Sequence, residues 1–154
     1  MATYTETTEI AAPIERVFEY RLDFTNLPSY NPDVPACAPR GDTPAGEGCV
    51  YDFLLRYPGR HMRSEVLTVV AAEYPRLIVI ELDALMNATE TCHFEARGPG
   101  RTFVVFEADV EIPGGRLAPV LEALFVKRAW HRQVSRELRL MAELLDTSAG
   151  GERS

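Results

Sequence analysis

Residues 115–146 read GRLAPVLEALFVKRAWHRQVSRELRLMAELLD, and the reading of this stretch decides the fold. Pro113-Gly114-Gly115 ends whatever precedes it, and Thr147-Ser148-Ala149-Gly150-Gly151 ends the stretch itself. Between them Leu117, Val120, Leu121, Leu124, Val134, Leu138, Met141, Ala142 and Leu145 recur at three- and four-residue spacings. That spacing predicts one long helix, Gly115 to Asp146, with a single apolar side. Pro119 falls early enough to sit in the first turn. About thirty residues at 1.5 Å each span roughly 45 Å, so the helix needs a broad apolar partner.

The stripe carries three polar interruptions. On a helical wheel Arg128, His131 and Ser135 fall in the sector of Leu121, Leu124 and Leu138. Two readings stay open. The stripe drifts, leaving Arg128 in solvent and His131 a hydrogen-bonded core histidine, or the three groups face a cavity. Arg132, Arg136 and Arg139, with Glu137 and Glu143 among them, read as the solvated face.

The partner comes from residues 48–112, where the hydrophobic period is two. Cys49, Tyr51, Phe53, Leu55 and Tyr57 share one face of a first run, which turns at Pro58-Gly59. On the return, Met62, Ser64, Val66, Thr68 and Val70 oppose Arg63, Glu65, Leu67 and Val69. Further runs place Ile78, Ile80 and Leu82, then Glu90, Cys92 and Phe94, then Thr102, Val104, Phe106, Ala108 and Val110 on common faces. This is an antiparallel meander in which each strand has one apolar and one charge-bearing face.

Upstream, Thr3 to Ile10 alternates weakly and suits a first strand. Pro13 to Leu22 reads as a short helix with Ile14, Val17, Phe18 and either Arg21 or Leu22 inward. Asp23 then caps a second short helical piece. Pro28, Pro32, Pro35 and Pro39 break the next stretch of chain into turns.

Composition bounds the class. A chain of 154 residues with 46% hydrophobic and 25% charged residues is one globular domain with a real core. The domain is expected to occupy residues 1–146, followed by a flexible tail at 147–154. A formal charge of −7 argues against a nucleic-acid or anionic-membrane surface. There is no signal-peptide pattern and no membrane-spanning run, so a soluble cytoplasmic protein without membrane insertion is expected. Cys37, Cys49 and Cys92 are odd in number and lack metal-ligand spacing, so they read as reduced thiols. His61, His93 and His131 lie far apart, and no metal or other cofactor is implied. GxGxxG, P-loop, GxSxG and HExxH patterns are all missing.

The order of elements (strand, two short helices, a six-strand antiparallel run, a long C-terminal helix) resembles the α+β helix-grip fold of the SRPBCC or START-like superfamily. Its members include START domains, polyketide cyclases and dehydrases, birch-pollen-allergen-like proteins and coenzyme-Q-binding proteins. Ile10 to Phe18 resembles the family's first strand-to-helix junction. Asp23-Phe24-Thr25-Asn26-Leu27-Pro28 resembles its second helix, with Leu27 where many members carry Trp. Gly46 to Tyr51, Glu73 to Leu77 and Gly98 to Thr102 resemble its turn landmarks. The likeness spans Thr3 to Leu145.

The resemblance implies a curved sheet around the long helix, often with a cavity between them. Turning the apolar faces inward then gives a wall of Tyr51, Phe53, Leu55, Met62, Val66, Ile80, Leu82, Cys92, Phe94, Val104, Phe106 and Ala108. The helix adds Leu121, Leu124, Arg128, His131 and Ser135, and Tyr30 and Phe24 pack inward or form a lid. Such a wall suits a small, largely hydrophobic ligand, and equally a filled core. Arg128 would bind an oxygen anion, His131 would act as acid or base, and Tyr51 or Tyr30 would orient a carbonyl. Glu90 is the one carboxylate on an inner face, near a strand end where it reaches water. Alternation puts Glu65, Arg63, Glu81, Asp83 and His93 outside.

The resemblance implies three functions. They are binding of a polyketide-, lipid- or quinone-like molecule, a cyclase or dehydrase activity using Arg128, His131 and a tyrosine, and regulation through a macromolecular partner. A fold of this kind hosts all three, so the site must decide.

Overall fold

In a computed structural model the chain is described at residues 2–57, 59, 61–111, 115–121 and 125–146; the side chains of Ala118 and Leu121 are excepted. The expected tail at 147–154 and the predicted contact Leu124 lie outside the described residues, as does the side chain of Leu121.

Strand β1 (Ala2–Ile10) leads into helix α1 (Ile14–Leu22), whose N-cap is Pro13. Val17, Phe18 and Arg21 form its buried side. Asp23 does cap the next piece: its Oδ1 accepts from the Thr25 amide at 3.1 Å and the Thr25 hydroxyl at 2.6 Å. A single 3-10 turn (Phe24–Asn26) then runs into helix α2 (Leu27–Tyr30).

Six more strands complete the set: β2 (Ala36–Pro39), β3 (Val50–Tyr57), β4 (His61–Glu73), β5 (Leu77–Asp83), β6 (Ala88–Ala96) and β7 (Thr102–Val110). They join β1 in one curved antiparallel sheet of order β1-β7-β6-β5-β4-β3-β2. Strand β2 lies in the proline-rich stretch that the sequence suggested was all turns. As an edge strand paired only with β3, it tolerates the proline at its end. At the β6–β7 turn Gly98 adopts φ +111°, a conformation L side chains rarely take.

After β7 come a 3-10 turn (Gly115–Leu117), helix α3 (Ala118–Leu121) and helix α4 (Lys127–Leu145). Helix α4 lies against β1 and α2, and its buried residues are Val134, Glu137, Leu138, Met141 and Leu145. Around it the core is continuous from Ile10 and Phe18 through Phe94, Val104 and Phe106 to Met141.

The predicted faces of β3, β5, β6 and β7 agree with the buried residues, but that of β4 does not. Glu65, Leu67 and Val69 are buried, whereas Met62 is 53% exposed. Cross-strand register explains this, because Tyr51 stands opposite Leu67 and Phe53 opposite Glu65 on the same face. Val66 and Met62 therefore point outward. The two faces of β4 are about equally apolar, so alternation could not choose between them. A register shift between Val69 and Ala71 then carries Ala72, not Val70, towards the core.

Candidate functional site

Between the concave sheet face and the helices lies a cavity of about 170 Å³. Phe53, Leu55, Leu67, Ile80, Leu82, Ala88 and Val110 give its sheet side, Phe24 and Leu27 its α2 side, and Trp130, Gln133 and Val134 its α4 side. Besides Gln133 and Tyr57, its polar groups are Arg21, Asn31, Glu90 and Glu137.

These polar groups form one buried cluster. Arg21 Nη1 donates to Glu137 Oε1 at 2.9 Å and to the Tyr30 hydroxyl at 3.1 Å. Asn31 Nδ2 donates to Glu137 Oε2 at 3.2 Å. Arg21 Nη2 approaches Glu90 Oε2 at 3.6 Å, beyond hydrogen-bond length. The guanidinium carbon also stands 5.0 Å from the Phe24 ring centroid, 5.7 Å from Tyr30 and 5.2 Å from Phe106. These distances suit cation–π attraction in a desolvated site.

Charge counting sets the chemistry. Burial opposes the charge on Arg21, but Tyr30, Glu137, Cys92 and Glu90 outweigh it and hold the guanidinium above its ordinary value. Burial also raises both carboxyls. Glu137 has two donors and is the ionised partner of Arg21. Glu90 lacks such donors, and burial, against Arg21 and aided by Glu137, pushes it to about 7. One cation is thus balanced by one carboxylate, and Glu90 keeps a proton through part of the neutral range. Burial also pushes the Cys92 thiol up to about 12, so it is no nucleophile at neutral pH.

The residues expected at the site divide sharply. Phe53, Leu55, Ile80 and Leu82 line the cavity. Tyr30 and Tyr51 are fully buried instead, Tyr51 edge-on to Phe24 at 5.6 Å and Tyr30 engaged with Arg21. Cys92, Phe94, Val104, Phe106 and Ala108 belong to the packed core. Val66 lies in a groove on the other face of the sheet, and Met62 is exposed.

Arg128 and His131 do not reach the cavity. Both are exposed, and His131 contacts Glu6 of β1 through Nδ1 while Ser135 lies 3.5 Å from the same carboxylate. The cause is the rotation of α4. At 100° per residue, His131 stands about 20° to one side of Leu138 while Trp130 and Glu137 stand roughly 80–100° to the other. The helix turns that second side inward. Glu137, assigned by sequence to the solvated face, is consequently buried with Arg21. The signal available in sequence was the series Trp130, Val134, Glu137, Met141, with its repeat of four and three.

Two wider grooves lie elsewhere among the described residues. One of about 330 Å³ follows β1 and the end of α4, lined by Glu6, Glu9, Arg101, Arg139 and Glu143. The other, about 710 Å³, runs along the outer sheet face beside Glu81, Asp83, Asp109 and Glu111. Both are wide and polar, whereas the smaller cavity alone joins buried apolar walls to a perturbed carboxyl.

An antiparallel sheet gripping a C-terminal helix, with an internal cavity, is the START-like helix-grip fold. The sequence matches the family model for polyketide cyclase/dehydrase and lipid transport over residues 1–146, and the chain belongs to that family. Comparison with curated proteins returns no match. Among solved structures, the chain is similar to the di-domain aromatase/cyclase StfQ of the steffimycin biosynthetic pathway, at 16% identity and TM-score 0.77. That match covers 96% of this chain but 51% of StfQ, so the chain spans about half of that protein's length. A START superfamily protein from Mycobacterium smegmatis matches at 17% identity and TM-score 0.72, over 94% of this chain and 97% of that one. Zhui aromatase/cyclase from Streptomyces sp. R1128 matches at 13% identity and TM-score 0.76, over 94% and 93% respectively. At these identities the likeness is one of fold. None of the helices among the described residues is long and apolar enough to cross a membrane.

Proposed function

We propose that the protein binds a small, largely apolar molecule in the cavity between sheet and α4, with an oxygen-bearing end turned towards Arg21 and Glu90. The observation that carries this reading is the cavity's polarity, an apolar enclosure with its charged groups gathered in one cluster. Family membership supports it, since the family's description joins cyclase or dehydrase chemistry with lipid transport. Three unpaired thiols, Cys37, Cys49 and Cys92, suit action in the cytoplasm.

Trp130 supplies the test, because it is the sole tryptophan of the chain and lines the cavity. Small apolar ligands should quench or shift its emission. Ala88→Phe, which puts a ring into the cavity, should weaken that response at least tenfold while the protein stays folded. His131→Ala, outside the cavity, should leave it unchanged. An emission response that Ala88→Phe does not alter would sink the assignment.

A second reading, cyclase or dehydrase activity, is favoured by one observation, the Glu90 carboxyl held near pH 7 inside the cavity. A group there both gives and takes a proton at neutral pH. On this reading Glu90 replaces His131 as the acid–base group. Glu90→Gln should then slow turnover by about 10²-fold or more, with ligand affinity retained.

A further inference from the structure

The cavity's polar end holds an unusual charge set, one guanidinium and two carboxyls, with Arg21 and Glu137 buried and Glu90 half-buried. Arg21 is 3% exposed, and the side chains of Glu137 and Glu90 are 9% and 16% exposed. The charge of Arg21 is already paired with Glu137 through Nη1, with the Tyr30 hydroxyl on the same nitrogen, while its buried Nε has no hydrogen-bond partner. Glu137 is in turn closed off by Asn31. A ligand arriving here therefore meets a cation whose charge is already matched by a carboxylate. It meets the Glu90 carboxyl, which has only a 3.6 Å approach from Arg21. From α1 that carboxyl faces Arg21, from α4 it feels Glu137, and on its own strand Cys92 lies two residues on.

We infer that the cavity selects by charge: it takes neutral molecules ending in a hydroxyl or carbonyl and rejects carboxylates of the same size and shape. This rests on the reading of the cavity as a binding site and adds the chemical class of its ligand. The reason is electrostatic. A ligand carboxylate would be a third anion beside a single, already paired cation, at low dielectric, where like charges repel strongly. A neutral oxygen asks only for hydrogen bonds. Glu90 in its acid form donates one to a carbonyl or hydroxyl, and in its ionised form accepts one from a hydroxyl.

The discriminating measurement uses one apolar body with two heads: 3-phenylpropan-1-ol and 3-phenylpropanoate. Each is titrated into the full chain, with Trp130 emission excited at a wavelength the ligands do not absorb. At pH 8 the alcohol should bind at least tenfold more tightly than the carboxylate. Glu90→Gln, which removes the surplus carboxyl and keeps its shape, should raise affinity for the carboxylate about tenfold relative to the alcohol. In the wild type the penalty on the carboxylate should shrink as pH falls from 8 to 6, where Glu90 takes up its proton. Equal binding of alcohol and carboxylate at pH 8 overturns the charge rule while leaving the cavity as a binding site. If neither alters Trp130 emission, both the charge rule and the binding reading fail.

Discussion

Arg21 shows how one residue ties the fold to the site. It leaves α1 at the last turn, passes between aromatic rings and ends on a carboxylate from α4. Removing Glu137 alone strands a buried guanidinium. Glu137→Leu should therefore cost about 3–5 kcal/mol of unfolding free energy. Replacing both partners, Arg21→Met with Glu137→Leu, should recover much of that loss, because neither charge then needs solvating. Urea unfolding of the single and double variants checks this. A double variant as unstable as the single would mean that Arg21 does not depend on Glu137.

At the scale of elements, β4 and α4 are where alternation and periodicity fell short. Both sides of β4 offer apolar side chains, and only pairing with β3 shows that Leu67 faces the core while Val66 faces out. Leu67→Ala should cost roughly 2–5 kcal/mol, whereas Met62→Gln should stay within about 0.5 kcal/mol. Comparable losses from the two in urea unfolding would return β4 to its expected face. In α4 the periodicity was legible but its phase was not. The apolar sector spans more than the sheet can cover, and the partners that fix the rotation are Tyr4, stacked 4.9 Å from Trp130, and Arg21. Neither can be paired with α4 from the sequence of α4 alone.

Over the whole molecule the buried carboxyls give stability a pH dependence. Glu90 binds its proton more tightly folded, at about 7, than unfolded, near the ordinary 4.5. Its contribution is full below about pH 4.5 and is lost as pH rises through about 7, amounting to roughly 3 kcal/mol. Glu137, also raised, acts in the same direction. Glu9 and Asp52, held low by Arg101 and Arg40, act oppositely but only in more acidic solution. Thermal unfolding between pH 5 and 8 should show the wild type losing stability relative to Glu90→Gln as pH increases. Parallel curves for the two proteins would place Glu90 in water, not in the cavity.

The sequence by itself determined the class of fold, most strand faces and the order of its elements, except for strand β2 and for the start of α4 at Lys127 instead of the expected Gly115. Those rest on local periodicity, proline and glycine placement and the Asp23 cap, all of which act within a few residues. It also marked Glu90 as the inward carboxylate. Tertiary structure decided which face of β4 is inner, how α4 is rotated, and that Arg21, Asn31, Glu90 and Glu137 share one site while Arg128 and His131 stand outside it. Those outcomes depend on contacts between residues as much as 125 positions apart. A buried charge is tolerated only when its partner arrives from elsewhere in the chain, so neither member of the pair announces itself locally.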